Sequence, residues 1–355
     1  MSINVLQPSP SVLEEQAIID ALRSRWWGQG PMVKEFERQM AKRYGVRHCV
    51  TTNSATAALH LALLVSGVGP GDEVIVPALT FVSTALVVTY CGARPVFIDV
   101  DPHTLTLDWQ NVSRHVTDKT KAVIPVDYAG YPAGRGTAWP VVQDAAHSCG
   151  GTAYGDMTCL SFHPVKNLGT GDGGAILLND DAKAERLRRL RWCGIDESTY
   201  ERTGRRYKWD YDIQEVGYKC HWNDLQASIG LAQLGRLEVM NARRRQIAER
   251  YTSELADLVQ TPASHERHTW HLYPIRVEAE RRDGIIDYLA ERGISTSVHY
   301  KPLTHYPMWA DLSTPPVTER EWRRLISLPI HAELTDDEQG RVIKALREAV
   351  NKREG

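Results

Sequence analysis

One segment of the chain is more informative than any other: Ser161-Phe162-His163-Pro164-Val165-Lys166-Asn167-Leu168-Gly169-Thr170-Gly171-Asp172-Gly173-Gly174. It places Lys166 between an apolar run that predicts a strand and a glycine-rich loop, and the apolar run 175–178 predicts a second strand. A lysine held in a partly desolvated loop has a lowered pKa and becomes a nucleophilic amine, whereas an ordinary loop lysine stays on the surface. On this segment alone, both interpretations of Lys166 remain open.

The same loop contains Gly169-x-Gly171-x-x-Gly174, which formally matches the fingerprint of dinucleotide-binding proteins. That fingerprint has a strand before it and a helix after it, because the pyrophosphate sits at the helix N-terminus. Here a strand follows the glycines, so we expect no dinucleotide site. A nicotinamide-dependent oxidoreductase is kept as a rival function.

On both sides of this segment, short apolar runs alternate with helical patterns. The runs that predict strands lie at 49–51, 73–76, 95–98, 122–126 and 140–143. They are continuously apolar rather than alternating, which is typical of strands that are covered on both faces. Strands and helices in alternation predict an α/β fold with a parallel sheet.

The C-terminal third has a different pattern. A long helix is predicted from 223 to 256, and after Pro262 further strands are predicted at 270–277 and 294–300. The helices predicted in this part lie at 282–292, 320–327 and 336–350. We therefore expect a large domain at 1–240 and a smaller α+β domain at 241–355, joined by the long helix.

Composition and charge exclude several classes of protein. The chain has 355 residues, of which 42% are apolar and 24% charged, and its net charge is −2. This near-neutral balance argues against a protein that coats nucleic acid or an anionic membrane. No apolar run is long enough to span a bilayer and we identify no signal peptide, so we expect a cytoplasmic protein. The six cysteines form no CxxC pair and are expected as reduced thiols.

A zinc site is the only metal site that the sequence suggests. His265, His268 and His271 follow one another at three-residue steps. They lie beside Arg267 and Trp270, and no cysteine is near them. Because this does not match the ligand spacing of known zinc sites, we expect no metal ion.

Two further features of the sequence suit ligand binding: the start of a predicted helix and a carboxylate at the end of a predicted strand. Ser54, Ala55 and Thr56 open the helix predicted after the first strand, where free N–H groups and the helix dipole can bind a phosphate. Asp144 directly follows a predicted strand, at the edge where open α/β sheets bind ligands. Either feature alone is more simply explained by helix capping. Together with the loop lysine, they match pyridoxal 5′-phosphate, which needs an anchor for its phosphate, a carboxylate at its pyridine nitrogen and an amine.

Several blocks, in order and over almost the whole chain, resemble the DegT/DnrJ/EryC1/StrS family of sugar aminotransferases. The blocks are Gly28-Gln29-Gly30-Pro31, Thr80-Phe81-Val82-Ser83-Thr84, Asp144-Ala145-Ala146-His147, Ser161-Phe162-His163-Pro164-Val165-Lys166-Asn167 and Asn223-Asp224-Leu225-Gln226-Ala227. The resemblance implies the aspartate aminotransferase fold (type I), with a mixed, mostly parallel sheet in the large domain. It also implies an aminotransferase rather than a sugar 3-dehydratase of the same fold, because those enzymes have histidine in place of Lys166.

The resemblance also implies roles for individual residues. Lys166 would bind the cofactor covalently and move a proton between the amino acid and the cofactor, while Asp144 would pair with the pyridine N–H. Phe81 would stack on the ring, and His147 would lie near its phenolic oxygen. Lys219 would reach the phosphate in the neighbouring subunit. The other phosphate ligands would be Ser54, Ala55, Thr56 and Ser161. Candidates for contact with the sugar are Tyr207, His299, Tyr300, Lys301 and His305.

The sequence departs from the family pattern at a few positions. Many members have Gly where this chain has Ala55, and Asn where it has Lys219, which acts on the phosphate as a point charge or remains a surface lysine. His221 and Trp222 replace the commoner Arg and Met. The segment 131–139 is shorter than the usual helix-bearing connection, so the resemblance does not determine the local surface there, whereas the cofactor site is unaffected.

The resemblance implies transfer of an amino group from L-glutamate or L-glutamine to a keto sugar carried on a nucleoside diphosphate. The mechanism would be ping-pong through pyridoxamine 5′-phosphate, in an active site shared between the subunits of a homodimer. Two alternatives remain open. One is an aminotransferase acting on a keto-cyclitol or another cyclic ketone. The other, from a different class, is a cofactor-binding regulatory protein with little turnover, against which the near-neutral charge argues.

Overall fold

The computed structural model of the protein describes residues 2–136 and 138–352. Its α-helices are α1 Val12–Ser24, α2 Pro31–Tyr44, α3 Ala55–Val65, α4 Ser83–Tyr90, α5 Trp109–His115, α6 Asp181–Leu190, α7 Asp224–Leu255, α8 Arg282–Glu291, α9 Pro316–Trp322 and α10 Asp336–Asn351. Its β-strands are β1 His48–Thr52, β2 Glu73–Pro77, β3 Arg94–Ile98, β4 Thr120–Val123, β5 Val142–Asp144, β6 Met157–Ser161, β7 Gly174–Leu178, β8 Tyr273–Arg276 and β9 Leu325–Leu328.

The large sheet is mixed. β3, β2 and β4 form one parallel group in that order, and β1, β7, β6 and β5 form a second group. Isolated parallel bridges from Val123 to Val141 and from Val126 to Asp144 place the two groups side by side. β7 runs antiparallel to both of its neighbours, whereas β5 and β6 are parallel. The mixed, mostly parallel sheet that the resemblance implies is therefore confirmed.

The antiparallel strand β7 explains the position of Lys166. β6 and β7 pair as far as Ser161 and Gly174, so residues 162–173 form the loop of a wide hairpin. Because β1, β2, β5 and β6 run in the same direction, their carboxyl ends share the sheet edge from which this loop projects. The lysine therefore lies beside the N-terminus of α3, which follows β1, and beside Asp144, which ends β5.

Helices cover both faces of this sheet. Ile176 packs in one hydrophobic cluster with Leu59 of α3, whereas Leu177 packs in another with Phe36 of α2 and Leu237 of α7. Successive strand residues point to opposite faces, so both sides of β7 are buried. This arrangement is the reason that the strands are continuously apolar.

A smaller unit surrounds the two-stranded antiparallel sheet of β8 and β9. Its hydrophobic cluster joins residues of these strands, α8 and α10 to Ile247, Tyr251 and Leu255 near the end of α7. The domain boundary predicted at 240/241 falls within α7, which is one continuous helix. The division into two domains stays a prediction.

Two elements of the C-terminal part differ from the sequence-based predictions. The helix predicted at 320–327 is wrong, because α9 ends at Trp322 and Leu325–Leu328 forms β9. All four β9 residues are buried, and their pairing with β8 satisfies the backbone of both strands. The strand predicted at 294–300 is reduced to single bridges at Ile294 and Ser297.

The described part of the chain has no candidate membrane span and no candidate metal site, and its cysteines are unpaired. No helix there is long and apolar enough to cross a bilayer. Among the same residues, no group of three or more His, Cys, Asp or Glu side chains is arranged to hold a metal ion. The six cysteines are free thiols, and four of them are buried.

A buried carboxylate fixes the start of α2. Gly30, the N-cap residue of α2, has no side chain that accepts a hydrogen bond from the first turn. Asp224 accepts instead, from the N–H of Gly30 at 2.8 Å and from those of Met32 and Val33 at 3.1 Å each. Asp224 is 2% exposed, so water does not replace it. One side chain thereby joins the segment before α2 to the start of α7.

We expect Asp224→Ala to lower the free energy of unfolding by about 2–4 kcal/mol, because three N–H groups lose their acceptor. Asp287→Ala, at an exposed position of α8, is the control and should change the free energy by less than about 0.5 kcal/mol. Urea unfolding followed by circular dichroism measures both variants. Equal stabilities of the two variants would contradict the capping role.

Candidate active site

A cavity of about 330 Å³ opens at the shared carboxyl edge of the strands. The residues predicted to bind the cofactor that line it are Ser54, Ala55, Thr56, Phe81, Asp144, His147, Ser161 and Lys166. Of the residues predicted to contact the sugar, His299 and Tyr300 line it as well. Its volume falls in the range of about 300–1,000 Å³ that is usual for small-molecule sites.

Lys166 is partly buried at this cavity, with a polar neighbour at its amine. Nζ lies 3.4 Å from Nε2 of His271. Burial lowers the pKa of Lys166 to about 8, an effect that Asp144 opposes. Desolvation disfavours the ammonium form, whereas the neutral amine is a nucleophile and a base. The surroundings of Lys166 therefore favour the reactive form of the amine.

Asp144 holds its carboxylate at the end of β5 through two hydrogen bonds. Thr84 Oγ1 donates to Oδ2 at 2.9 Å, and the Ala146 N–H donates to Oδ1 at 3.1 Å. Burial raises the pKa of Asp144, and these two hydrogen bonds and Lys166 oppose the rise. A buried carboxylate of this kind is stabilised by a ligand that offers a cationic N–H.

The start of α3 forms a cradle for an anion. Ser54 is the N-cap, its Oγ accepts from the Ala57 N–H at 3.1 Å, and Thr56 Oγ1 lies 2.8 Å from Ser83 Oγ. Gly174 packs so closely here that a Cβ would lie 2.6 Å from the carbonyl carbon of Ser54. Because the first N–H groups of a helix are unpaired and lie at its positive dipole end, they suit a phosphate.

Aromatic rings and a histidine form another part of the wall. The ring of Phe81 is 54% exposed, and its centroid is 5.9 Å from that of Tyr300. Tyr300 Oη lies 3.0 Å from Nε2 of His147, whose Nδ1 accepts from the Ala129 N–H at 3.3 Å. This network assigns the imidazole proton to Nε2, which donates to Tyr300. Burial lowers the pKa of His147 well below its usual value and keeps the ring neutral.

Lys219 and Tyr207 lie outside this cavity in the single chain. Lys219 is exposed, and its ammonium lies 4.2 Å from the ring centroid of Trp192. Tyr207 is 52% exposed, and its ring contacts the guanidinium of Arg206 at 5.2 Å. The role of Lys219 toward the phosphate in a neighbouring subunit and that of Tyr207 toward the sugar stay predictions.

Lys301 and His305 also lie outside the cavity, although they follow Tyr300 closely in the chain. The Lys301 ammonium lies 5.1 Å from the ring centroid of Tyr306. His305 Nε2 lies 2.7 Å from Oε2 of Glu319. Both side chains have partners outside the cavity, and their contact with the sugar stays a prediction.

One departure from the family pattern, Trp222, has a structural explanation. Trp222 is fully buried, and its ring packs against Phe36 and Phe162 with centroid distances of 4.9 and 5.6 Å. Its indole N–H donates to the carbonyl of Asp172 at 3.1 Å, which supports the lysine-bearing loop. The short segment 131–139 forms no helix or strand in its described residues, and Thr137 lies outside them.

Sequence analysis missed two residues of this site. His271 was considered only as a metal ligand with His265 and His268, yet its imidazole lies beside Lys166. Thr84 lies within a quoted block, but its contact with Asp144 links residues that are 60 positions apart. The signal for His271 was a histidine next to the apolar run of β8. No local pattern indicated the role of Thr84.

The glycine motif in the lysine-bearing loop does not form a dinucleotide site. Its last residue, Gly174, is the first residue of strand β7, so no helix N-terminus follows the glycines. The helix N-terminus at the cavity is that of α3, which lies elsewhere in the chain. The geometry therefore does not support the nicotinamide-dependent rival.

Comparison with known proteins agrees with the geometry. The DegT/DnrJ/EryC1/StrS aminotransferase family model matches residues 10–347. The chain belongs to this family. The aminotransferase is also 37% identical, over 369 aligned residues, to the spore coat polysaccharide biosynthesis protein SpsC of Bacillus subtilis, and the match covers 95% of this chain and 94% of SpsC.

Solved structures of similar proteins have the same fold as this chain. Spr1654 of Streptococcus pneumoniae in its PMP form superposes with a TM-score of 0.91 at 32% identity, covering 98% of this chain and 99% of Spr1654. The sugar aminotransferase CalS13 of Micromonospora echinospora superposes with a TM-score of 0.86 at 29% identity, covering 98% and 99%. Spr1654 has also been solved in a PLP form. The aminotransferase therefore has the type I fold, and pyridoxal phosphate is its cofactor.

The side chains of the cavity fit this cofactor. Asp144 offers a buried carboxylate for a cationic ring nitrogen, and Lys166 offers an amine of lowered pKa for the aldehyde carbon. The α3 N-terminus, with Ser161 beside it, offers donors for the phosphate. Phe81 exposes a ring face for stacking.

Proposed function

We propose that this aminotransferase moves an amino group from L-glutamate or L-glutamine to a keto sugar carried on a nucleotide, by a ping-pong mechanism. The observation that supports this most is the convergence of Lys166, Asp144 and the α3 N-terminus in one cavity. The family supplies the class of substrate, because CalS13 is a sugar aminotransferase. We further propose that the enzyme acts in the cytoplasm.

Lys166 is proposed to bind the cofactor covalently and to move the proton in each half-reaction. Bound pyridoxal phosphate supplies an electron sink for the carbon that loses its proton, which no side chain can provide. Since burial lowers the pKa of Lys166 to about 8, on the order of one tenth of the amines are neutral at pH 7. The neutral Nζ accepts the proton from the donor's α-carbon and holds it until it is returned.

Asp144 is proposed to keep the ring nitrogen protonated. Its carboxylate is buried, so water screens its charge little. The hydrogen bonds from Thr84 and Ala146 fix its orientation. Phe81 is proposed to position the ring by stacking, and His147 to hold its phenolic edge.

His299 and Tyr300 are proposed to contact the sugar. His299 Nδ1 lies 2.8 Å from Ser327 Oγ, and the Tyr128 hydroxyl donates to the His299 carbonyl. Burial lowers the pKa of His299 to about 4, and Lys166 acts in the same direction. A neutral imidazole and a phenol are suitable donors and acceptors for sugar hydroxyl groups.

The homodimer is proposed from the apolar surface that the single chain exposes. Trp209, Ile213 and Val216 are 75%, 65% and 87% exposed. Exposed apolar side chains that lie within eight residues of one another are typical of a segment that another protein covers. Lys219 ends the same segment, and we propose that it reaches the phosphate in the partner subunit.

Addition of L-glutamate or L-glutamine to the purified holoenzyme tests the proposed function. The absorbance of bound pyridoxal phosphate should convert to that of pyridoxamine phosphate, with one equivalent of keto acid released, and D-glutamate should leave it unchanged. A nucleotide-linked keto sugar should then restore the original absorbance. If only keto-cyclitols restored the original absorbance, the enzyme would be an aminotransferase of keto-cyclitols instead. A bound cofactor that responds to no amino acid would indicate a regulatory protein with little turnover.

A further inference from the structure

His271 is a buried polar residue that the proposed chemistry leaves without a role. It lies just before β8 and is 1% exposed. Its Nε2 is 3.4 Å from Nζ of Lys166, and its ring centroid is 4.5 Å from that of His147. Its Nδ1 is buried and has no hydrogen-bond partner among the described residues.

The unpartnered Nδ1 indicates which ring nitrogen holds the proton. A buried N–H without an acceptor is rarer than an acceptor without a donor, because the lost hydrogen bond leaves a polar proton unsolvated. The imidazole of His271 therefore keeps its proton on Nε2, the nitrogen that faces Lys166. A neutral amine accepts this N–H through its lone pair, whereas an ammonium group has no lone pair to offer.

The surroundings keep His271 in this neutral form. Burial lowers the pKa of His271 well below its usual value, and the positive charge of Arg244 acts in the same direction. The titratable groups that line the cavity together with Lys166 come from several elements: Asp144, His147, His163, Asp172, His271, His299 and Tyr300. A second cavity that Lys166 lines adds Glu14 and Arg244. Of the carboxylates in this set, Asp144 is the one that raises the pKa of Lys166.

Hydrogen bonds anchor the segment on both sides of His271 to Ala129 and to His147. The Leu272 N–H donates to the carbonyl of Ala129 at 3.2 Å. The Thr269 hydroxyl donates to the carbonyl of His147 at 2.9 Å. The position of the His271 backbone is therefore fixed by groups other than Lys166.

We propose that His271 is a positioning residue whose Nε2–H donates to the neutral amine of Lys166, which favours this form over the ammonium and orients the amine when it is not bound to the cofactor. This inference rests on the proposed role of Lys166 as the amine that moves the proton. Between its release from the cofactor and its reattachment, the lysine would otherwise be free to rotate away or to take up a proton from water. A fixed donor at Nε2 opposes both changes.

The pH dependence of Lys166 acetylation tests this inference. Acetic anhydride acetylates only neutral amines, and peptide mass spectrometry compares Lys166 with the exposed Lys119 of the same protein. The enzyme is loaded with pyridoxamine phosphate, which leaves Lys166 unattached, and no donor or sugar is present. His271→Leu should raise the midpoint of Lys166 labelling by about one pH unit, a roughly tenfold loss of neutral amine at pH 7. His271→Gln, whose amide N–H can replace Nε2–H, should restore most of the wild-type midpoint.

The matched control is His268→Leu. His268 is a buried histidine of the same segment, but it stacks on Trp270 at 3.7 Å rather than facing Lys166, so this variant should leave the midpoint unchanged. An unchanged or lowered midpoint in His271→Leu would overturn the inference, because an accepting Nε2 would instead stabilise the ammonium. If thermal unfolding shows that His271→Leu does not fold, His271→Met is judged by the same criterion. Since no substrate is present, this result is independent of whether the enzyme transaminates keto sugars.

Discussion

The Lys166→Ala variant is expected to transaminate at least roughly 10⁴-fold more slowly than the wild type, because it loses both the amine that binds the cofactor and the group that moves the proton. The cavity would keep its anion cradle and Asp144, so the variant should still bind pyridoxal phosphate without a covalent bond. Turnover with the best donor and acceptor, and the absorbance of the bound cofactor, measure the two effects.

Two controls separate this loss from unfolding. Lys121→Ala, at an exposed position, should keep full turnover. The cofactor-free Lys166→Ala protein should unfold at or above the wild-type temperature, because partial burial of an amine costs free energy in the native state. Full transamination by Lys166→Ala would contradict the assignment of this lysine.

The second large effect is expected for Asp144→Asn. The amide has nearly the shape of the carboxylate but no negative charge, so it cannot keep a ring nitrogen protonated. We expect turnover to fall by roughly 10²–10³-fold, the size of effect that follows the loss of one preorganised electrostatic contact. Cofactor content should stay near one per chain, because the cradle at α3 and Lys166 remain.

Asp144→Glu and Asp118→Asn complete this test. Asp144→Glu keeps the charge in a displaced position and should lie between the wild type and Asp144→Asn. Asp118 is exposed, so its amide variant should behave as the wild type. An Asp144→Asn enzyme with wild-type turnover would show that the charge of this carboxylate is not needed.

Much of the large domain follows from local sequence patterns. The apolar runs at 73–76 and 95–98 become β2 and β3, because strands covered on both faces need apolar residues at every position. The direction of β7 was not available from such patterns, since an apolar strand looks the same whether its neighbours are parallel or antiparallel. Only the family resemblance indicated the mixed sheet.

The C-terminal part was harder to predict. Leu325–Leu328 has too few residues to separate the period of a helix from that of a strand, and its pairing with β8 decides the matter. Ile294 and Ser297 form single bridges, to Ile3 and to Ser327 of β9, rather than a continuous ladder. The helix predicted at 320–327 and the strand predicted at 294–300 were both wrong for the same reason. Which distant segment a residue pairs with decides its structure, and local sequence patterns do not encode that pairing.

The residues of the active site also fall into two groups: those that a local motif predicts, and those that only the folding of the chain brings together. Lys166 and Asp144 lie in short motifs beside predicted strand ends, and sequence analysis found both. His271 and Thr84 act through contacts of 105 and 60 positions in sequence separation, which no local motif encodes. Tyr207 lies in an irregular segment, where neither periodicity nor a motif gives a position relative to the cavity.

The central claim, that Lys166 is the residue that holds the cofactor, can be tested in one measurement. The purified holoenzyme is treated with borohydride, which reduces a carbon–nitrogen double bond between an amine and the cofactor to a stable single bond. Proteolysis and mass spectrometry then locate the modified lysine. We expect the mass of a phosphopyridoxyl group on Lys166 at close to one per chain. The same mass on another lysine, or an unmodified Lys166 in an enzyme that contains cofactor, would contradict it.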